Sequence, residues 1–189
     1  MHRNLGLTIL VGSTREGRFG PTVARWFASQ AEARPEFEVD VIDLADAQLP
    51  AILPRATASV VAAYRERLER ADAFVVVTPE YNHGYPAALK QAIDLAYGEW
   101  QAKPVAFVSY GGMSGGLRAV EQLRQVFAEL HAVTIRDCVS FHNAWPLFAD
   151  EGWLREDIGA DIAAKTMLDR LAWWTRALRA ARETEPYAA

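Results

Sequence analysis

Residues 73–78, AFVVVT, are the most apolar run in the 189-residue chain, and Pro79 follows them directly. A short apolar run that ends at a turn signal is typical of a strand that is buried on both faces of a parallel sheet. Residues 5–11 (LGLTILV) and 105–109 (VAFVS) have the same character. The three runs therefore predict three buried strands of one sheet.

Outward from these runs, strand patterns alternate with helix patterns. Residues 37–44 alternate apolar and acidic side chains, which predicts a strand nearer the edge, and residues 133–139 fit a fifth strand. Helices are predicted over residues 21–33, 59–71, 86–97, 117–130 and 161–182. This series predicts an α/β fold, a flavodoxin-like doubly wound five-stranded parallel sheet of order 2-1-3-4-5 with helices on both faces. No linker or internal repeat interrupts it, so we expect residues 1–189 to form a single flavodoxin-like domain.

The charge balance and the cysteine content restrict the function classes. The chain has 24 acidic against 20 basic residues and a net charge of −4, so it lacks the positive charge with which proteins bind nucleic acid or anionic membranes. Its single cysteine, Cys138, allows neither an internal disulfide nor a thiolate metal cluster, and its four histidines lack metal-ligand spacing. We therefore expect a cytoplasmic protein with no nucleic-acid partner, no membrane partner and no metal site.

In an open parallel sheet, ligands bind at the carboxyl ends of the strands, near the switch in strand order. For the order 2-1-3-4-5, the relevant segments follow strands one, three and four. We call them loop 1 (residues 12–20), loop 2 (residues 78–86) and loop 3 (residues 109–116). These are also the most unusual loops of the sequence, so we expect a ligand site where they meet.

Loop 1 contains the parts of a phosphate site. It offers the hydroxyls of Ser13 and Thr14, the guanidinium groups of Arg15 and Arg18, and backbone N–H groups before a helix that starts near Pro21. The loop lacks both the Walker A pattern and the GxGxxG dinucleotide pattern, so a monophosphate fits better than a pyrophosphate. The alternative is a solvated turn with surface arginines.

Loops 2 and 3 are suited to a planar ligand. In loop 2, two prolines restrict the backbone, Tyr81 and Tyr85 offer flat surfaces, and Asn82 can donate and accept hydrogen bonds. Loop 3 has four glycines among residues 111–116, which lets the backbone approach a ligand closely. The alternatives are a rigid turn for loop 2 and a mobile hinge for loop 3.

Four stretches together carry a family resemblance: residues 12–17 (GSTREG), 78–82 (TPEYN), 89–94 (LKQAID) and 103–105 (KPV). They resemble the NADPH-dependent FMN reductase family, whose flavodoxin-like members include quinone, azo-dye and chromate reductases. The resemblance covers roughly residues 5–140, and TPEYN after the third strand is its most specific part.

The resemblance implies FMN as the cofactor and divides the site residues into three groups. The phosphate group would be held by Ser13, Thr14, Arg15, Arg18, Phe19 and Gly20. The flavin ring would be lined, largely through backbone atoms, by Pro79, Glu80, Tyr81 and Asn82. Its pyrimidine side would be bordered by Tyr110 and Gly111. Relatives often carry serine at position 18, asparagine at position 20 and a small residue at position 110, so hydrogen bonding to the phosphate and acceptor preference are expected to differ in this chain.

The resemblance also implies a reaction. Hydride would pass from NADPH or NADH to FMN, and then to a small-molecule electron acceptor such as a quinone, an azo compound, free flavin or a metal oxyanion. We expect ping-pong kinetics in one shared pocket, no essential catalytic acid or base, and a homodimer or homotetramer. Two alternatives remain: a non-enzymatic electron carrier like flavodoxin, and a flavin-free binding module on the same fold. Loop tryptophans that could cover a ligand are Trp100, Trp145 and Trp153.

Overall fold

The computed structural model describes residues 3–52, 59–149, 152–155 and 158–187. Five parallel strands form one sheet in the order β2-β1-β3-β4-β5. The strands are β1 (Leu5–Val11), β2 (Phe37–Asp43), β3 (Ala73–Pro79), β4 (Pro104–Tyr110) and β5 (Val133–Phe141). Both the predicted α/β flavodoxin-like class and the predicted strand order are confirmed.

The helices cover both faces of the sheet. They are α1 (Gly20–Glu32), α2 (Ser59–Arg70), α3 (Ala87–Asp94), α4 (Leu117–Glu129) and α5 (Ile158–Thr184), with short 3₁₀ turns at Gly98–Trp100 and Trp145–Leu147. Side chains of α1 and α5 pack against one face, and those of α2, α3 and α4 pack against the other. Along β3 the apolar residues alternate between these two cores, which explains why all seven of its residues are buried.

Helix α3 is shorter than the sequence indicates, because it ends at Asp94 instead of Tyr97. The N–H of Tyr97 donates to the carboxylate of Glu99 at 3.0 Å, and the chain enters a 3₁₀ turn. This turn directs Trp100 into the core, where its ring lies 4.5 Å from that of Phe74 and its indole N–H donates to the carbonyl of Ile93. The expectation that Trp100 could cover a ligand is therefore wrong.

Within the described ranges, no helix combines the length and the apolar character needed to cross a membrane.

Candidate functional site

The strand register brings the three loops to one edge of the sheet. Val11 at the end of β1 pairs with Val77, and Pro79 at the end of β3 pairs with Tyr110 at the end of β4. The loops also contact one another, since the guanidinium carbon of Arg15 lies 5.6 Å from the ring centroid of Tyr81. The predicted meeting of loops 1, 2 and 3 at the carboxyl edge is confirmed.

Loop 1 leaves a helix N-terminus without a protein cap. Helix α1 begins at Gly20 after Phe19, which offers no side-chain cap, and no side chain in the described ranges accepts a hydrogen bond from the first turn. The backbone N–H groups of residues 14–19 donate to no residue in the described part of the chain. Thr14 and Arg15 are exposed beside them, whereas Ser13 is completely buried. Free amides, a helix dipole and a cationic side chain together favour an anion at this position.

Arg18 has a different partner from the one that the sequence indicates. Its Nη1 donates to both carboxylate oxygens of Asp43, at 2.6 and 2.8 Å, and to the Ser13 carbonyl at 3.1 Å. Both side chains are less than one-fifth exposed, at 17% and 19%. The charge of Arg18 is thus balanced at the end of β2, so Arg18 braces loop 1, and Arg15 is the cation of the loop that has no ion-pair partner among the described residues.

Loop 2 ends in a tight two-residue turn. Tyr81 and Gly84 exchange backbone hydrogen bonds of 2.8 and 3.1 Å, and between them Asn82 and His83 have φ values of 48° and 76°. Asn82 is a residue type that tolerates this left-handed backbone, and it is exposed at the tip. Burial raises the pKa of Tyr81 and Arg15 opposes that rise, so Tyr81 stays an uncharged, half-buried wall of the site.

Glu80 faces the protein instead of the ligand edge. Its carboxylate accepts the backbone N–H of Arg118 at 3.2 Å and the guanidinium of the same residue at 2.8 Å. Glu80 therefore caps α4 and ties loop 2 to the helix that follows loop 3. Pro79 is buried where β3 ends. That the backbone of both residues lines a flavin ring stays a prediction.

Loop 3 is held in place by hydrogen bonds from Ser109 at the end of β4, from Ser140 in β5 and from His142 just after β5, roles that the sequence reasoning did not single out. The hydroxyls of Ser109 and Ser140 donate to the carbonyl of Gly115 at 2.8 and 2.9 Å, and His142 Nδ1 lies 2.8 Å from the Met113 carbonyl. Gly115 has a φ of +61°, and a Cβ there would collide with Ser140 and His142. These contacts disfavour the mobile-hinge interpretation. The position of β5 beside β4 could have indicated them, because the end of one strand flanks the end of the next.

The side chain of Tyr110 lies beside loop 1. It is 3% exposed and turns toward α1, where its ring centroid lies 6.1 Å from that of Phe19. Gly111, also buried, donates to the Phe141 carbonyl at 3.1 Å. Alternation along β4 could have revealed the orientation of Tyr110, since Tyr110 must share the face of Val108. The expectation that Tyr110 and Gly111 border the pyrimidine side of a flavin stays a prediction.

Two tryptophans at this end of the molecule are solvent-accessible. Trp145, in the 3₁₀ turn after β5, is 57% exposed and its ring centroid lies 6.3 Å from that of Phe19. Trp153 is 55% exposed. Trp145 therefore remains available next to loop 1, and its segment, which the sequence left without a role, forms one side of the site.

The donor set fits the phosphate of FMN. Two buried hydroxyls, those of Ser13 and Tyr110, have no hydrogen-bond partner among the described residues, and both lie against the start of α1. Together with the uncapped amides and the cation of Arg15, they can hold a doubly charged monophosphate. Fold and site thus define an open α/β protein built to bind a phosphorylated planar ligand at its strand-order switch.

The chain belongs to the NADPH-dependent FMN reductase family, whose model matches residues 6–146. The family resemblance seen in the sequence is confirmed, and with it an oxidoreductase that uses FMN as cofactor and NAD(P)H as electron donor.

Curated relatives carry related names. A quinone reductase of Pseudomonas putida is 30% identical over 190 residues, which cover 95% of this chain and all of that protein. An NAD(P)H-dependent FMN reductase of Schizosaccharomyces pombe is 37% identical over 129 residues. That match spans 64% of this chain and 64% of the length of the S. pombe protein.

A solved structure has the same fold. The flavoenzyme NAD(P)H:(acceptor) oxidoreductase FerB from Paracoccus denitrificans aligns with a TM-score of 0.74 at 24% identity, covering 92% of this chain and 98% of that one.

Proposed function

We propose that this protein is an NAD(P)H-dependent FMN oxidoreductase that reduces small acceptors by a ping-pong reaction, with quinones as the first class to test. The observation that carries the proposal is loop 1 at the strand-order switch, where the backbone amides, the start of α1 and the cation of Arg15 have no hydrogen-bond or ion-pair partner in the part of the chain that the structure describes. The quinone reductase from P. putida, which matches along its whole length, supports the choice of quinones.

In this proposal, Ser13, Thr14, Arg15 and the loop 1 amides bind the phosphate, while Arg18 holds the loop against Asp43. The backbone of Pro79–Asn82 and of Gly111 lines the ring. The tight turn of loop 2 and the hydrogen bonds that hold loop 3 keep both segments in place before a ligand arrives, which lowers the cost of ordering them.

When bound, FMN supplies the hydride chemistry by accepting two electrons from a nicotinamide and delivering them to a second substrate. The protein supplies orientation, hydrogen bonds and a wall formed by Tyr81. In this proposal the donor and the acceptor share one pocket at the flavin ring and therefore bind in turn, which is the physical basis for ping-pong kinetics. We assign no essential acid or base.

Two alternatives make different predictions. A flavodoxin-like carrier would bind FMN without fast reduction by a nicotinamide, and a binding module would take up no flavin. The cation of Arg15 in loop 1 and a net charge of only −4 favour the reductase over the usually more acidic carrier.

The deciding experiment follows the visible spectrum of the FMN-reconstituted protein when NADPH or NADH is added without oxygen. Rapid bleaching, followed by recovery of the oxidised spectrum on adding a quinone, is expected. Flavin that stays oxidised would support the carrier, and failure to retain flavin would support the binding module. Parallel lines in double-reciprocal plots of initial rate at several quinone concentrations would support the ping-pong order, whereas intersecting lines would contradict it.

We further propose a cytoplasmic homodimer or homotetramer that forms a single domain per chain. The single cysteine supports the reducing compartment. Sedimentation equilibrium of the purified protein checks the assembly, and a monomer at all concentrations would contradict it.

A further inference from the structure

Two buried hydroxyl groups at the start of α1 have no hydrogen-bond partner among the described residues. Ser13 is 0% exposed and Tyr110 is 3% exposed. Burying a hydroxyl without a partner costs stability, so each such group needs an explanation. The only other buried hydroxyl of this kind in the described ranges belongs to Tyr64, which packs on the opposite face of the sheet.

The two hydroxyls both lie close to the position that a Cβ on Gly20 would occupy. A Cβ on Gly20 would collide with the Ser13 hydroxyl and would lie 2.9 Å from the Tyr110 hydroxyl and 3.2 Å from Val11. The Tyr110 hydroxyl therefore occupies space that a side chain on the first residue of α1 would otherwise take. This is also where the helix has no protein cap.

We propose that Tyr110 is a phosphate-positioning residue, whose hydroxyl orients Ser13 toward an anion in loop 1 and so favours a phosphorylated flavin over an unphosphorylated one. A hydroxyl can donate one hydrogen bond while it accepts others. When Tyr110 donates to the Ser13 oxygen, the Ser13 proton is left to point at the anion. This inference rests on the proposed function, because it takes the FMN phosphate as the anion.

The surroundings of Tyr110 suit this role. Burial raises the pKa of its phenol and the neighbouring Ser13 hydroxyl opposes that rise, so the hydroxyl keeps its proton at neutral pH. Neither hydroxyl meets hydrogen-bond geometry with a partner among the described residues, and a rotation of the Ser13 side chain is the change by which the proposal joins them. A bound phosphate would then satisfy the Ser13 hydroxyl, and Ser13 would satisfy the Tyr110 hydroxyl.

The test compares the dissociation constants of FMN and riboflavin for the wild type and for Tyr110→Phe, by fluorescence titration of the apoprotein. We expect FMN binding to weaken by about fivefold, the equivalent of one neutral hydrogen bond, and riboflavin binding to stay the same. The melting temperature of the ligand-free variant should not fall, because the change removes an unpaired buried group. Tyr64→Phe is the matched control, since it removes a similar hydroxyl far from loop 1 and should change neither dissociation constant.

Ser13→Ala provides the second variant. It should also weaken FMN more than riboflavin, and adding Tyr110→Phe to it should have no further effect, because Tyr110 acts through Ser13. An equal loss of affinity for FMN and riboflavin would overturn the proposal, because it would mean that Tyr110 acts on the flavin ring. An unchanged FMN affinity would also overturn it and would leave Tyr110 with a packing role alone. A wild type that binds neither flavin would overturn the proposed function itself, which makes the two failures distinguishable.

Discussion

Two buried polar clusters, one at each edge of the sheet, differ in their hydrogen bonding. At the amino edge, Asp72 is 4% exposed and accepts the N–H of Gly6 at 3.0 Å, with Arg3 and Arg179 within 3.4 Å of the same oxygen. At the carboxyl edge, the hydroxyls of Ser13 and Tyr110 are equally buried and have no partner in the described ranges. The satisfied Asp72 cluster stabilises the fold, whereas the unsatisfied pair of hydroxyls is available to a ligand.

Lys103 is a second buried polar residue at the amino edge whose hydrogen bonds are satisfied. Its ammonium is buried and donates to the carbonyls of Leu68 and Glu69, both at 3.1 Å, where α2 ends. It thereby serves as a C-terminal cap for that helix. Burial lowers its pKa to about 8, so this edge, unlike loop 1, should respond to mildly alkaline pH.

The largest expected effect is on stability, from Asp72→Ala. The change leaves the half-buried guanidinium of Arg182 without its carboxylate and removes one of the two carboxylates that Arg179 contacts, and we expect a loss of about 3–5 kcal/mol in the free energy of unfolding. Urea unfolding of the apoprotein measures it. FMN affinity should be unchanged in whatever fraction folds, and the control Asp94→Ala, which breaks only an i,i+4 pair with Lys90, should cost well under about 1 kcal/mol. A similar loss in both variants would mean that the buried Asp72 cluster contributes no more than an exposed ion pair.

The next effect is on binding, from Arg15→Ala. We expect FMN affinity to fall by about 1–3 kcal/mol, the range of a charge-assisted hydrogen bond, with little change in the stability of the apoprotein because Arg15 is exposed. Isothermal titration with FMN measures it. Arg136→Ala is the control, since its side chain is 94% exposed on β5, away from loop 1. Equal affinities for the wild type and Arg15→Ala would take Arg15 out of the phosphate site.

A smaller effect comes from the titration of Lys103. Its pKa is about 8 in the folded protein against 10.5 as the ordinary value, so between these two the unfolded chain binds more protons and stability rises with pH. The gain from pH 8 to about pH 9.5 should be about 1–2 kcal/mol in urea unfolding. Lys103→Met should lack this rise, whatever its absolute stability. If the free energy of unfolding of the wild type stays constant or falls over this pH range relative to that of Lys103→Met, the lowered pKa of Lys103 is contradicted.

Much of the fold could be predicted because its signals are local. Strands β1, β3 and β4 can be recognised as apolar runs in the sequence. The turn residues that follow these runs indicate where loops 1, 2 and 3 lie. The end of α3 could not be predicted in this way, since it depends on the Glu99 carboxylate meeting the N–H of Tyr97 and on core space for Trp100.

The site was predictable as a set of loops and less so as a set of side-chain roles. Arg18 pairs with Asp43, and Glu80 with Arg118, across 25 and 38 residues of sequence. Such pairings depend on tertiary contact and leave no local pattern. The orientation of Tyr110 does have a local signal, which is the alternation of side chains along β4. That signal competes with the expectation that a residue at a strand end faces the ligand.

The central claim is that the phosphate of FMN binds at the carboxyl edge of the sheet, where the Ser13 and Tyr110 hydroxyls have no hydrogen-bond partner among the described residues. The most direct measurement is a backbone amide NMR titration of the apoprotein with FMN. We predict that the largest shift changes fall on residues 13–20 of loop 1, with smaller ones at residues 80–82 and 110–111, while Gly6, Asp72 and Lys103 at the amino edge stay unchanged. Shift changes centred on the amino edge, or none in loop 1 at saturating FMN, would contradict the claim.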